Sequence, residues 1–75
     1  GDTYLLELNA TVNCIVKINS FNYGEIKAGG KMKVWLSSGN YQIKVTSTAD
    51  NKEIYSKNID VSAGQLGSVG HLQIK

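Results

Sequence analysis

Polar and apolar residues alternate with a period of two along most of this 75-residue chain. No stretch sustains the helical period, so the pattern predicts strands throughout. Successive side chains on a strand point to opposite faces. "KMKVWL" therefore puts Met32, Val34 and Leu36 on one face and Lys31, Lys33 and Trp35 on the other. "YQIKVTS" sets Tyr41, Ile43 and Val45 against Gln42, Lys44 and Thr46, and "VNCIVKI" sets Val12, Cys14, Val16 and Ile18 inward. "TYLLEL", "FNYGEI" and "LGSVGHLQI" read as further strands, with Leu72 and Ile74 in phase in the last. "IYSKNIDVS" turns Tyr55, Ile59 and Val61 inward and leaves Lys57 in that apolar row. An inward charge of this kind marks an edge strand or a bulge.

The connectors between these runs are short. Such links imply sequential antiparallel pairing, because a parallel crossover needs about a dozen residues or more. Six or seven short strands at this spacing predict one all-β domain over residues 1–75. The expected fold is a small antiparallel β-sandwich, immunoglobulin/prealbumin-like. Proline is absent, so glycine and asparagine carry the turns. Asn19-Ser20 reads as a tight hairpin turn. "LSSGNY" reads as a second hairpin with a four-residue loop, in which Gly39 takes a positive φ and Leu36 and Tyr41 return to one core.

Size limits what can hold the fold together. A domain of about 60 residues buries only about 60% of its unfolded surface. Cys14 is the one cysteine, so no internal disulfide forms. One cysteine and one histidine fall short of the four ligands usual in structural zinc sites. Packing and the sheet ladder must suffice, and an apolar content of 41% is adequate for that. The eight basic residues are all lysines. Lack of the arginine fork argues against nucleic acid as a partner. No apolar run approaches the roughly 20 residues of a membrane span. Gly1 reads as a protease-cleavage remainder, so a piece of a larger protein is expected.

The spacing of "CIVKINS", "NYGEI", "LSSGNYQIKV" and "IDVSAGQ" resembles the PEGA family of small bacterial β-sandwich domains. The family's Leu-x-Pro-Gly-x-Tyr stretch is matched at Leu36, Gly39 and Tyr41, with Ser38 at the proline. Asn19-Ser20 stands where the family has Asp-Gly. Thr11-Val12-Asn13-Cys14 stands at the naming tetrapeptide, with little of it retained. The resemblance covers roughly Thr11 to Gln65 and leaves the first and last strands as flanking additions. It implies an accessory module of a bacterial envelope or surface protein, placed in the periplasm or at the cell surface. It implies no catalytic residues and no cofactor. The implied partner is a protein or a neighbouring domain.

The residues themselves offer little chemistry. No nucleophile elbow surrounds any serine near the reach of His71, which should face solvent. Cys14 reads as a packed, inert thiol. Asp50 and Glu53 share a loop, but Lys52 sits between them, so a solvated turn is favoured over a calcium site. Gly29-Gly30 has no helix behind it to cradle a phosphate and reads as a turn. "NAT" (9–11) fits a glycosylation sequon by chance. The candidate binding surface is the outward row Lys31, Lys33 and Trp35 with Gln42 and Lys44 as expected cross-strand neighbours. Two functions suit it: a non-catalytic interaction module, or a small carbohydrate-binding domain stacking a sugar on Trp35.

Overall fold

The computed structural model describes residues 3–61, and 68–74 as a strand without its side chains. Seven strands follow one another: β1 (Thr3–Ala10), β2 (Cys14–Ile18), β3 (Phe21–Ile26), β4 (Lys31–Ser37), β5 (Gly39–Ser47), β6 (Glu53–Val61) and β7 (Ser68–Ile74). They form two sheets packed face to face. One has three strands in the order β4-β1-β7, the other four in the order β3-β2-β5-β6. The expected all-β sandwich is thus the fold, and the alternation placed every strand. "SAGQ" and the side chains of His71, Leu72 and Ile74 lie outside the described residues.

The pairing differs from a run of sequential hairpins. Only β2–β3 and β5–β6 are consecutive antiparallel neighbours within a sheet. The links β1→β2, β3→β4, β4→β5 and β6→β7 each cross between the sheets. β1 pairs with β4 antiparallel and with β7 in parallel. The parallel pair costs no special crossover, because the rest of the domain lies between its two strands.

The two inner faces are the apolar rows of the sequence. Leu6, Leu8, Cys14, Val16, Ile18, Ile26, Ile43, Val45 and Val61 are essentially inaccessible to solvent, and among the described residues no polar one is buried with them. Tyr4, Ala10, Val34 and Leu36 complete the core, with Met32, Tyr41, Tyr55 and Ile59 half-buried against it. Val12 departs from its expected inward row. It lies in the β1–β2 link, outside β2, and is 37% exposed. The turn up to Cys14 had to leave the strand period there in order to change sheets.

The described links are closed by hydrogen bonds of their own. Asn19 and Ser20 have φ of 50° and 72°, the two positive values of a type I′ turn. Gly30 N donates to Lys27 O at 2.8 Å, and Gly29 between them has φ 81°, as a type II turn requires. Asn13 ties three links together: its Oδ1 accepts from Ala28 N at 2.7 Å and its carbonyl from Thr48 N at 3.1 Å.

The "LSSGNY" stretch is a corner and not a hairpin. β4 ends at Ser37 in the three-stranded sheet, β5 begins at Gly39 in the other, and Ser38 alone lies between them. The Tyr41 hydroxyl donates to Ser37 O at 2.7 Å and lies 3.2 Å from Ser37 Oγ. A tyrosine hydroxyl reaching back to the backbone a few residues upstream is the tyrosine corner of β-sandwiches. Gly39 does take a positive φ, 150°. That value opens the backbone at the start of β5 so that the chain can pass to the second sheet.

Candidate functional site

The corner decides where the expected binding residues lie. Lys31, Lys33 and Trp35 stand on the outer face of the three-stranded sheet, opposite Asn9, Glu7 and Leu5 of β1. Gln42 and Lys44 stand on the outer face of the four-stranded sheet, opposite Asn58 and Ser56 of β6. The two groups are therefore separated by the whole core. The expected cross-strand contact between them does not form, because β4 and β5 are not neighbours.

On the first face Trp35 is 62% exposed although both its strand neighbours, Val34 and Leu36, are buried. Its flanks are cationic. Lys31 Nζ lies 3.6 Å from Glu7 Oε2, while Lys33 has no ion pair among the described residues. Leu5, half-buried, extends the apolar part of the face beside Trp35. β4 is also an edge strand, so Trp35 sits at the rim of the sheet.

The second face carries two adjoining depressions that sequence reasoning did not assemble. One, about 420 Å³, is lined by Asn19, Asn40, Gln42, Asn58 and Asp60 over Tyr41 and Ile59. The other, about 230 Å³, is lined by Lys17, Ser20, Gln42 and Lys44. Gln42 is common to both. Its backbone is clamped by Asn19, whose N donates to Gln42 O at 2.9 Å and whose Oδ1 accepts from Gln42 N at 2.9 Å. The alternation marks Lys17, Gln42 and Lys44 as outward, and Ser20 and Asn40 read as turn residues. What it could not supply is the β2–β5–β6 order that sets them side by side.

The remaining candidates have structural duties. Cys14 is fully buried. Burial pushes its thiol pKa up, a hydrogen bond with the Ile26 backbone works against that, and the Glu25 charge adds to the rise. The thiolate that would do chemistry is therefore disfavoured. In the 48–52 turn, Asp50 Oδ1 accepts from Lys52 N at 3.2 Å and Asn51 N donates to Ser47 O at 2.9 Å. Among the described residues no three His, Cys, Asp or Glu side chains cluster as a metal site would need. At the glycine pair, the amides of Ala28, Gly29 and Gly30 are all taken by protein acceptors, Asn13 Oδ1, Ala10 O and Lys27 O. None is left to receive a phosphate.

Sheet order and surface together define a small seven-stranded β-sandwich domain with two chemically distinct outer faces. Comparison with protein-family models, curated proteins and solved structures finds no match to this chain.

Proposed function

We propose that the domain is a non-catalytic interaction module that docks through the outer face of its three-stranded sheet. Trp35 carries this reading. An indole 62% exposed at mid-strand adds nothing to a core that is already closed beneath it. Tryptophan is enriched among residues that dominate binding energy, typically at the centre of a patch rimmed by polar groups. Here the rim is Lys31, Lys33 and Glu7, with Leu5 extending the apolar centre. The resemblance to PEGA domains supports a partner in the bacterial envelope, either a separate protein or a neighbouring domain of the same chain, outside the cytoplasm.

No helix of the described residues is long and apolar enough to cross a membrane. Stacking of a sugar on Trp35 is the alternative use of this face. It would have to proceed without Gln42 and Lys44, which lie on the other sheet.

A photo-reactive amino acid at position 35, in the protein expressed in its own cells, tests the proposal. It should cross-link to one protein surface, whereas the same group at Thr46, on the other sheet, should not. Equal labelling from both positions, or labelling from neither, overturns it.

A further inference from the structure

The outer face of the four-stranded sheet holds an arrangement that stability alone does not favour. Lys17 on β2 and Lys44 on β5 are direct cross-strand partners. Like charges placed opposite one another on a sheet face destabilise it. Neither lysine has an ion pair among the described residues, whose two pairs are Lys27–Glu25 and Lys31–Glu7. Both line a concavity with the Ser20 and Gln42 side chains and with no carboxylate. Two ammonium groups, a hydroxyl and a carboxamide around one hollow are complementary to an anionic oxygen group, since charge-assisted hydrogen bonds are the strong ones.

The hollow does not end there. Across Gln42 it continues into the larger depression, where Asn40 faces Asp60 and Gln42 faces Asn58 on neighbouring strands. The side chains of Asn40, Gln42 and Asn58 make no hydrogen bond among the described residues. A carboxamide offers two donors and an acceptor, and a carboxylate accepts only. Such a set matches adjacent hydroxyls, each of which both gives and takes a hydrogen bond. Asp60 at this end only accepts hydrogen bonds, so the carboxylate that fixes the ligand's register belongs at the lysine end.

The geometry points to an acidic saccharide as the ligand of this strip, with its carboxylate between Lys17 and Lys44 and its hydroxyls on Asn40, Gln42 and Asn58. An inorganic anion would leave the amides unused. An acidic peptide of Asp or Glu residues would supply the charge but not the hydroxyls that the carboxamides match. The Asn19–Gln42 clamp holds the backbone at the junction of the two hollows with two hydrogen bonds. This site lies on the face opposite Trp35 and does not depend on the docking proposed above.

The test is a titration of the isotopically labelled 75-residue chain, followed through its amide resonances, with four probes: hexagalacturonate, maltohexaose, sulfate and hexaglutamate. Hexagalacturonate should move the amides of Lys17, Ser20, Gln42, Lys44 and Asn58 in a saturable, salt-sensitive way, and leave the Trp35 indole resonance in place. The other three probes should bind at least roughly tenfold more weakly, since each lacks either the charge or the hydroxyls. Lys17→Gln with Lys44→Gln should abolish the preference for hexagalacturonate over maltohexaose. Asn40→Ala with Asn58→Ala should weaken hexagalacturonate and leave sulfate unchanged. All four positions are exposed, so the variants should keep the parent's dispersed spectrum. The inference is overturned if hexagalacturonate does not saturate, if its shifts fall elsewhere, or if sulfate or hexaglutamate binds as tightly.

Discussion

The turn at Asn19-Ser20 and the corner at Ser37–Tyr41 are both short and both written in small polar residues, yet they send the chain to different places. The first returns it into the same sheet, β2 to β3. The second carries it out of the three-stranded sheet and across the core, β4 to β5. At the turn, two successive positive φ values match the strand twist and hold neighbouring strands in register. At the corner there is one positive φ, at Gly39, and a tyrosine hydroxyl that reaches back to Ser37. Local φ values close a hairpin. At this one-residue crossing a long side chain is also bonded across the bend. Substitutions at the two sites should therefore fail in different ways.

The corner should be the more fragile of the two. A β-branched residue at Gly39 meets a backbone conformation that side chains rarely adopt, and its Cβ would lie 3.8 Å from the Tyr41 ring. Gly39→Val should cost about 1–3 kcal/mol in denaturant unfolding, the scale of local backbone strain. Tyr41→Phe keeps the ring and deletes only the hydroxyl that bonds Ser37. It should cost about 1 kcal/mol, the usual net worth of one hydrogen bond. A neutral Tyr41→Phe would mean that packing of the ring alone makes the corner.

The turn should respond in the opposite direction. Ser20 holds φ 72°, where a side chain is strained and glycine is not. Ser20→Gly should raise stability by up to about 1 kcal/mol, the order of the αL penalty it removes. Loss of stability instead would show that the Ser20 side chain does more for the fold than its strained backbone costs.

Cys14, at the end of β2 away from the Asn19-Ser20 turn and opposite Ser47 at the end of β5, supplies a pH probe of the core that both connections leave untouched. Its folded pKa stands above the ordinary 9.0, and burial likewise raises that of Tyr55 above 10.0. With folded values above unfolded ones, the stability these groups allow is fully present below the unfolded pKa and is lost as pH rises through the folded one. Melting temperature should fall above about pH 9, and Cys14→Ala should flatten the first part of that fall at a cost near 1 kcal/mol. Iodoacetamide should label the native thiol only as fast as the protein unfolds.

Lys57 should show the smallest effect on stability. β6 is an edge strand, and Lys57 stands in its inward row opposite the buried Ile43 while remaining exposed itself. An inward-pointing charge on an edge discourages pairing with another chain. Lys57→Val should unfold at nearly the parent's denaturant concentration and self-associate as concentration rises, measured by sedimentation. A monomeric variant would leave the lysine without that role.

Strand positions and the inward rows were legible because period two is a property of each strand by itself. Val16, Val34, Ile43 and Val45 needed no knowledge of their neighbours. Sheet order was not legible, because "LSSGNY" satisfies a hairpin and a corner equally well by residue type. What distinguishes them is the Tyr41–Ser37 bond, a contact four residues apart that alternation does not register. The same gap separated Trp35 from Gln42 and Lys44, and hid the Lys17–Lys44 pair, whose members lie 27 positions apart in the chain and side by side in the sheet. Val12 misled for a related reason: a strand pattern continues in the letters after the chain has left the sheet.

The crossing at Ser38 is the claim on which both faces depend, and interstrand proton contacts test it most directly. In deuterated solvent, nuclear Overhauser spectra should connect β4 to β1, with Leu36 opposite Tyr4 and Val34 opposite Leu6, and β5 to β6, with Tyr41 opposite Ile59. No backbone contact should join Trp35 to Gln42 or Val34 to Ile43. Backbone contacts between β4 and β5 in those pairs would make "LSSGNY" a hairpin, return Trp35 and Lys44 to one face, and contradict the two-faced account.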